Sequence, residues 1–288
     1  DMMETNITKN YDQIIKEAEV TVKKGLLLYP STRPLDRALE YSTSLYIPTV
    51  TGSFKGVMEL LRDAGIQKGA SGYKSLAELT EEEMSQLITA IMLRKVGDGE
   101  INDIVGNMFL IKFFNNLEDA REISATINAC SRMGFPEAAL GLCLGSKRAK
   151  KEAEDIYRLY KQSIAAALKF IEDADKIQGR DYTIINAQDK IKDTIIGTAA
   201  SIMSFSPLYP KGTIIIAMAY DQNKIKISAR LAGRKGRNVR EILTKAVIPL
   251  AGEVGGHPNA AGALLPKEKE LEFIEEIKKV LELEYIKV

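Results

Sequence analysis

Residues Ser146 to Asp175 contain neither glycine nor proline, and Ala153, Ile156, Leu159, Tyr160, Ile164, Ala167, Leu168 and Ile171 recur at helical spacing through them. That pattern predicts one long helix. A helix of this length bounded by Gly145 and Gly179 is the natural connector between two lobes, so the expected division is 1–145, 146–178 and 179–288. Past Gly179 the periodicity changes from 3.6 to 2. Tyr182–Asn186, Thr213–Tyr220 and Lys224–Ala229 are β-branched runs, the last two joined by Asp221-Gln222-Asn223 as a hairpin. Thr194–Ser204 and Arg240–Leu250 read as helices, Gly252–Gly262 as a glycine-rich loop, and Glu268–Leu283 as a closing amphipathic helix.

The part before the connector reads as mainly helical. Asn10–Lys24 carries Ile14, Ile15, Ala18 and Val22 at helical spacing, and Gly56–Asp63 places Val57, Leu60 and Leu61 on one face. Between them, Ser31–Ser53 reads as loop with short helical pieces. Thr80 and Glu83 have the form of a capping box before Met84, Leu87, Ile88, Ile91 and Met92. Ile101–Asn115 fits either a helix or a buried strand, and Ala120–Cys130 is helical again, stopped at Gly134-Phe135-Pro136. The fold class is therefore mixed α/β, of the α+β kind: a helical lobe, the connector, then a mixed-sheet domain flanked by helices.

Composition narrows the chemistry. Lys plus Arg total 40 against 39 for Asp plus Glu, so affinity for a polyanion has to come from a local basic patch. One histidine, His257, and two cysteines, Cys130 and Cys143, leave no zinc-site spacing, and no P-loop motif occurs. The carboxylates Asp98, Glu100 and Asp103 lack the later ligands of a calcium loop and read as a solvated turn. Asp1–Asn10 has no features of a secretory signal, and no apolar run approaches the roughly 18 residues of a membrane span, which makes the cytoplasm the expected location.

The most informative string is Gly255-Gly256-His257-Pro258-Asn259-Ala260-Ala261-Gly262. Its small residues let a backbone approach a ligand closely, and exposed amides of such a segment can cradle phosphate. The plainer reading is a tight turn with a satisfied histidine. The string is similar to the GGH motif of the DHH-associated C-terminal domain, and Ile225-Lys226-Ile227-Ser228-Ala229-Arg230 resembles the strand ending in Ser-Ala-Arg that precedes it there. Ala120-Arg121-Glu122 with Ile127 to Gly134 resembles a further RecJ-type stretch, and Leu35 to Ser53 resembles the region that follows the catalytic domain in archaeal RecJ relatives. The chain is thus similar over most of its length to archaeal RecJ-like proteins of the DHH phosphoesterase superfamily.

The resemblance implies a phosphate-binding role for Arg230, Gly255, Gly256, His257, Asn259 and Ala260, with Ser228, Asn128 and Arg132 as second-rank candidates. A planar guanidinium suits bidentate phosphate binding, and Arg234, Lys235 and Arg237 add positive charge nearby. It also implies Mn or Mg for the intact enzyme, held by aspartates and by the Asp-His-His motif, which this sequence does not contain. Asp1 resembles the last metal ligand of that centre. Because one carboxylate cannot hold two hydrolytic ions, the chain alone is expected to be inactive and to need no metal. Three functions stay open: the substrate-binding part of a single-strand exonuclease acting on DNA or RNA, a non-catalytic replisome component that binds GINS, and a fragment of a small-oligonucleotide phosphodiesterase.

Overall fold

A computed structural model of the chain describes residues 9–28, 30–42, 45, 47–94, 104–206, 208–233 and 236–285. The chain divides into two compact units, Asp1–Ser131 with Phe135–Glu154, and Arg132–Gly134 with Asp155–Val288.

The first unit contains α1 (Lys9–Glu17), β1 (Thr21–Leu26), α2 (Leu35–Glu40), α3 (Phe54–Asp63), α4 (Glu81–Arg94), β2 (Val105–Phe113), β3 (Asn116–Asp119), α5 (Ala120–Met133) and α6 (Pro136–Cys143). Its core gathers Leu26, Leu28, Leu35, Leu39, Leu60, Leu61, Leu87, Ile91 and Met108. The capping box at α4 forms as the spacing predicts: the Glu83 amide donates to Thr80 Oγ1 at 3.1 Å and the Thr80 amide to Glu83 Oε2 at 2.8 Å. This unit is not all helical. The strands β1, β2 and β3 form an antiparallel sheet in that order, with Thr21 opposite Leu110 and Leu110 opposite Asp119.

The helix expected over Asn10–Lys24 ends at Glu17 instead, and the ambiguous 101–115 segment is a strand over most of its described part. Neither outcome is local. β1 is extended because β2, far along the chain, supplies its ladder, and Lys23 is drawn inward to donate to the carbonyl of Ala77 at 2.8 Å. Asp98, Glu100 and Asp103 lie outside the described residues.

Where β3 meets α5, Asp119 is fully buried. Its Oδ2 accepts from Ser31 Oγ at 2.6 Å, the Ser31 amide at 3.1 Å and Arg121 Nη2 at 2.8 Å. Its Oδ1 accepts from the Arg121 amide at 2.9 Å and Nε at 3.1 Å. Both carboxylate oxygens are therefore saturated, as a buried charge requires.

α7 spans Lys147–Asp173, and the division between the two units falls within it. The second unit continues with β4 (Ile177–Gln178), β5 (Tyr182–Asn186), α8 (Asp193–Ser204), β6 (Ile214–Asp221), β7 (Lys224–Leu231), α9 (Val239–Val247), β8 (Glu253–His257), β9 (Ala260–Pro266) and α10 (Glu270–Tyr285). One six-stranded sheet runs β4-β5-β6-β7-β9-β8, with β5 and β6 parallel and every other pair antiparallel. α8 is the crossover between the parallel strands and packs on β6 and β7. The opposite face is closed by α9 and α10, whose Val239, Leu243, Phe273, Ile277 and Leu281 pack against Ile214, Ile216, Ile225 and Ile227.

The segment expected as a glycine-rich loop is therefore the hairpin β8–β9. Its glycines are held in the ladder by pairing on one side with a strand that is itself paired to β7, a constraint that low intrinsic β-propensity does not reveal. Among the described residues, no helix is long and apolar enough to cross a membrane.

Candidate phosphate-binding face

Alternation along β7 sorts its side chains. Ile225, Ile227, Ala229 and Leu231 enter the core under α9 and α10, which turns Lys226, Ser228 and Arg230 to the α8 face. Register then carries two rows across the next strands: Ser228 opposite Gly262, itself opposite Gly255, and Arg230 opposite Ala260, itself opposite His257. The sheet ends at β8, so this part of it has an open rim. A Cβ placed on Gly255 would meet nothing within 4 Å, and one on Gly262 only the Ile227 carbonyl at 3.4 Å. The result is a shallow floor of backbone beside a cation.

Arg230 is half-buried and well tied down. Its Nε donates to Ser201 Oγ at 2.8 Å, Nη1 to the carbonyls of Ala229 at 2.8 Å and Ala261 at 3.2 Å, and Nη2 to the Gly197 carbonyl at 3.3 Å. No carboxylate stands among these partners. Burial presses the guanidinium below the usual arginine range, and the charge of Arg132 adds to that effect. Arg132 reaches the same helix, donating from Nη1 to the Thr194 carbonyl at 3.1 Å. Two guanidiniums thus converge on the first turns of α8. With most of its N–H groups committed to protein oxygens, Arg230 offers a ligand a fixed charge and one remaining N–H rather than an open fork.

The sequence candidates therefore separate. Arg230, Ser228, Gly255, His257 and Ala260 share these two rows, and Arg132 joins them at α8. Asn259 lies in the turn between β8 and β9, exposed, and its carbonyl accepts from the Leu231 amide at 3.0 Å. The neighbouring Pro258 carbonyl accepts from the Val239 amide at 2.8 Å, so the hairpin tip is pinned to β7 and α9. Asn128 lies on α5 in the first unit, and neither row includes it. Arg237 is occupied elsewhere, paired with Asp181 at 2.7 Å. Asp1, Arg234 and Lys235 lie outside the described residues.

Gly256 plays a different part from Gly255. Its φ is +122°, and an added Cβ would stand 2.5 Å from the Ala260 carbonyl oxygen and 2.6 Å from Ala261 Cα. Gly256→Ala is therefore expected to cost about 1–3 kcal/mol of stability, readable as a lower urea midpoint, because the residue is needed for the hairpin itself. An unchanged midpoint would show that the hairpin relaxes freely.

Sequence reasoning missed the α8 side of this site. Gly197, Thr198 and Ser201 sit in a helix that reads as simply apolar, yet Gly197 leaves room for Ser228 and Arg230, whose atoms lie 3.1 and 3.6 Å from where its Cβ would be. Thr198 Oγ1 is 2.9 Å from Tyr160 Oη of α7. The signal available was small and hydroxylic residues at i, i+1 and i+4 among apolar ones.

Among the described residues, no group of three or more His, Cys, Asp and Glu is placed to hold a metal ion. A Mn or Mg centre does not fit the described side chains.

Comparison with known proteins agrees with this organisation. Residues 28–108 match the model of the DHH-CID domain, and residues 180–283, which hold the whole candidate face except Arg132 and α7, match that of the DHHA1 domain. An uncharacterized protein of Methanocaldococcus jannaschii is 25% identical over 249 residues, covering 85% of this chain and 51% of its own length. The chain thus spans about half the length of that curated relative. The crystal structure of CDC45 from Entamoeba histolytica is similar over 91% of this chain and 58% of its own, at 11% identity and a TM-score of 0.51. RecJ from Thermus thermophilus in complex with Mg2+ is similar over 78% of this chain and 34% of its own, at 17% identity and a TM-score of 0.43, and the same protein is known with Mn2+. With a DHH-CID domain followed by a DHHA1 domain, which together account for more than half of its residues, the chain belongs to the DHH superfamily.

Proposed function

We propose that this chain is the substrate-binding part of a RecJ-like single-strand exonuclease, and that it holds the backbone phosphates of single-stranded DNA or RNA on the face formed by β7, β9 and β8. The carrying observation is Arg230: a half-buried guanidinium with no carboxylate among its hydrogen-bond partners, a second guanidinium nearby, and an open glycine floor alongside. A cation so placed, bonded to neutral oxygens only, favours an anion that can lie close to the backbone. Metal-dependent phosphodiester hydrolysis, with Mn or Mg, belongs in this reading to the intact protein, outside the described residues.

Gly255 tests the reading cleanly, because its replacement adds bulk to open space. Gly255→Leu is expected to weaken binding of a short labelled single strand about tenfold, the loss of one charge-assisted contact, with an unchanged melting temperature. Binding equal to that of the parent chain, in a folded variant, would remove this face as the phosphate site.

A second reading is a non-catalytic replisome component that binds GINS. The likeness to CDC45 across 91% of the chain supports it about as well. Manganese-dependent digestion of a labelled single strand by the intact protein separates the two, since the component reading predicts none.

A further inference from the structure

The hairpin tip at the end of the candidate face has a second side. Pro258 and Asn259 form it, both exposed, and the Val239 amide at the start of α9 donates to the Pro258 carbonyl at 2.8 Å. On one side of Pro258 lies the row of Arg230, Ala260 and His257. On the other is an open cavity of about 370 Å³, lined by Asn238, Arg240, Glu241, Thr244, Lys245 and Pro258 itself. Row and cavity are close, because two strand spacings, roughly 10 Å, carry Arg230 to His257, and Pro258 is the next residue. The polar groups of the cavity are unequally committed. Asn238 Oδ1 accepts from the amides of Arg240 and Glu241 at 3.1 and 3.3 Å, and its Nδ2 donates to Glu241 Oε1 at 2.8 Å. The end of α9 is thus capped already, and the carboxylate of Glu241 is turned to the cap. Thr244 Oγ1 donates back to the Arg240 carbonyl at 2.8 Å. The Arg240 side chain is exposed and, among the described residues, forms no hydrogen bond or ion pair. A cation in the first turn opposes the helix dipole, so its place there does nothing for α9.

An open guanidinium above largely aliphatic walls suits a ligand with both an anionic and an apolar part, and the volume lies at the small end of ligand pockets. We infer that the cavity is a second nucleotide subsite for the single strand held at Arg230. The strand passes over the hairpin tip, Arg240 takes a phosphate further along it, and the Pro258 ring with the stems of Arg240 and Lys245 meets the sugar or base. The inference rests on the proposed phosphate-binding reading and adds the course of the strand. The two cations divide the work. Arg230 is tied to four oxygens and gives a fixed charge, whereas Arg240 keeps an open fork that grips a phosphate bidentately. Contacts to phosphate and sugar carry no sequence information, so the subsite adds affinity without a base preference.

Binding of a labelled single strand long enough to span face and cavity, measured on the full chain at several salt concentrations, tests this. Arg240→Ala is expected to weaken binding about tenfold and to lower the slope of log affinity against log salt by about one unit, with an unchanged melting temperature. Lys224→Ala removes the same charge at the far end of β7, roughly 20 Å from Arg230, and is expected to bind like the parent. The sequence contains no tryptophan, so Thr244→Trp puts a single indole on the cavity wall. It is expected to change fluorescence when the strand binds or, where its bulk closes the cavity, to weaken binding as Arg240→Ala does. If Arg240→Ala fails to fold, this variant decides alone. An Arg240→Ala chain that binds like the parent or no worse than Lys224→Ala, or a silent indole in a Thr244→Trp chain that binds like the parent, overturns the subsite. The phosphate face then stands if Arg230→Ala still weakens binding. Binding that depends on Arg240 but not on Arg230, or a parent chain that binds no strand, overturns both.

Discussion

Arg230→Ala is expected to weaken binding of a short single strand by about ten- to a hundredfold, as the loss of a charge-assisted contact of about 1.5–3 kcal/mol requires. Because each phosphate contact releases condensed counterions, the slope of log affinity against log salt should fall by about one unit. The same substitution removes a latch. Ser201 Oγ and the carbonyls of Gly197 and Ala261 lose a donor at the junction of α8 with β7 and β9, so stability should fall by about 1–3 kcal/mol as well. Arg230→Lys separates the roles, since it keeps a charge but cannot reach several acceptors at once. It should retain most of the salt slope and lose most of the latch. Titrations at several salt concentrations, paired with urea unfolding of each variant, give both numbers. Affinity and slope equal to those of the parent in a folded Arg230→Ala chain would reduce Arg230 to a structural tie and remove the main support for a phosphate site.

The largest stability effect should come from the other unit. Asp119→Ala leaves Arg121, whose side chain is 8% exposed, buried without this carboxylate, and takes from Ser31 the acceptor of both its amide and its hydroxyl. Breaking a buried pair from one side costs about 3–5 kcal/mol. The pair also makes stability depend on pH. Burial alone would raise the Asp119 carboxyl, but the hydrogen bonds and charge of Arg121, with the hydrogen bond of Ser31, hold it below its usual value. A depressed folded value means that its contribution is complete above the unfolded carboxylate value, about 3.9, and is lost as pH falls through the lower folded value. The parent chain should therefore lose stability on acidification below about pH 4 more steeply than Asp119→Ala, and the two should converge in acid. Urea midpoints across that range measure it. A variant within about 1 kcal/mol of the parent near neutrality, or parallel pH curves, would show that the first unit does not depend on this carboxylate.

The elements that could be read in advance are those whose cause is local. The long helix α7, the runs that became β5, β6 and β7, and the Thr80–Glu83 capping box each follow from spacing within a few residues, where side-chain periodicity and a single reciprocal hydrogen bond decide the backbone. The glycine string and the arginine near the end of β7 were likewise visible as candidates for a phosphate site, because small side chains and a guanidinium carry that chemistry wherever they are folded.

What only the tertiary structure decided is where the partners come from. The chain is extended from Thr21 because β2, far along the sequence, supplies the ladder for β1. Gly255, Gly256 and His257 are held in a strand because β9 pairs with them on one side and with β7 on the other. The same holds for the site. Gly197 and Ser201 meet Arg230 through the crossover that lays α8 on β6 and β7, Arg132 reaches the Thr194 carbonyl of α8 from α5, and register alone brings Gly255 level with Gly262 and Ser228. Residue types and local periods are properties of short segments, and the sequence by itself determined them. Strand pairing and helix packing join segments far apart in the chain, so their outcome depends on loop closure and burial of the whole unit, which no local spacing encodes.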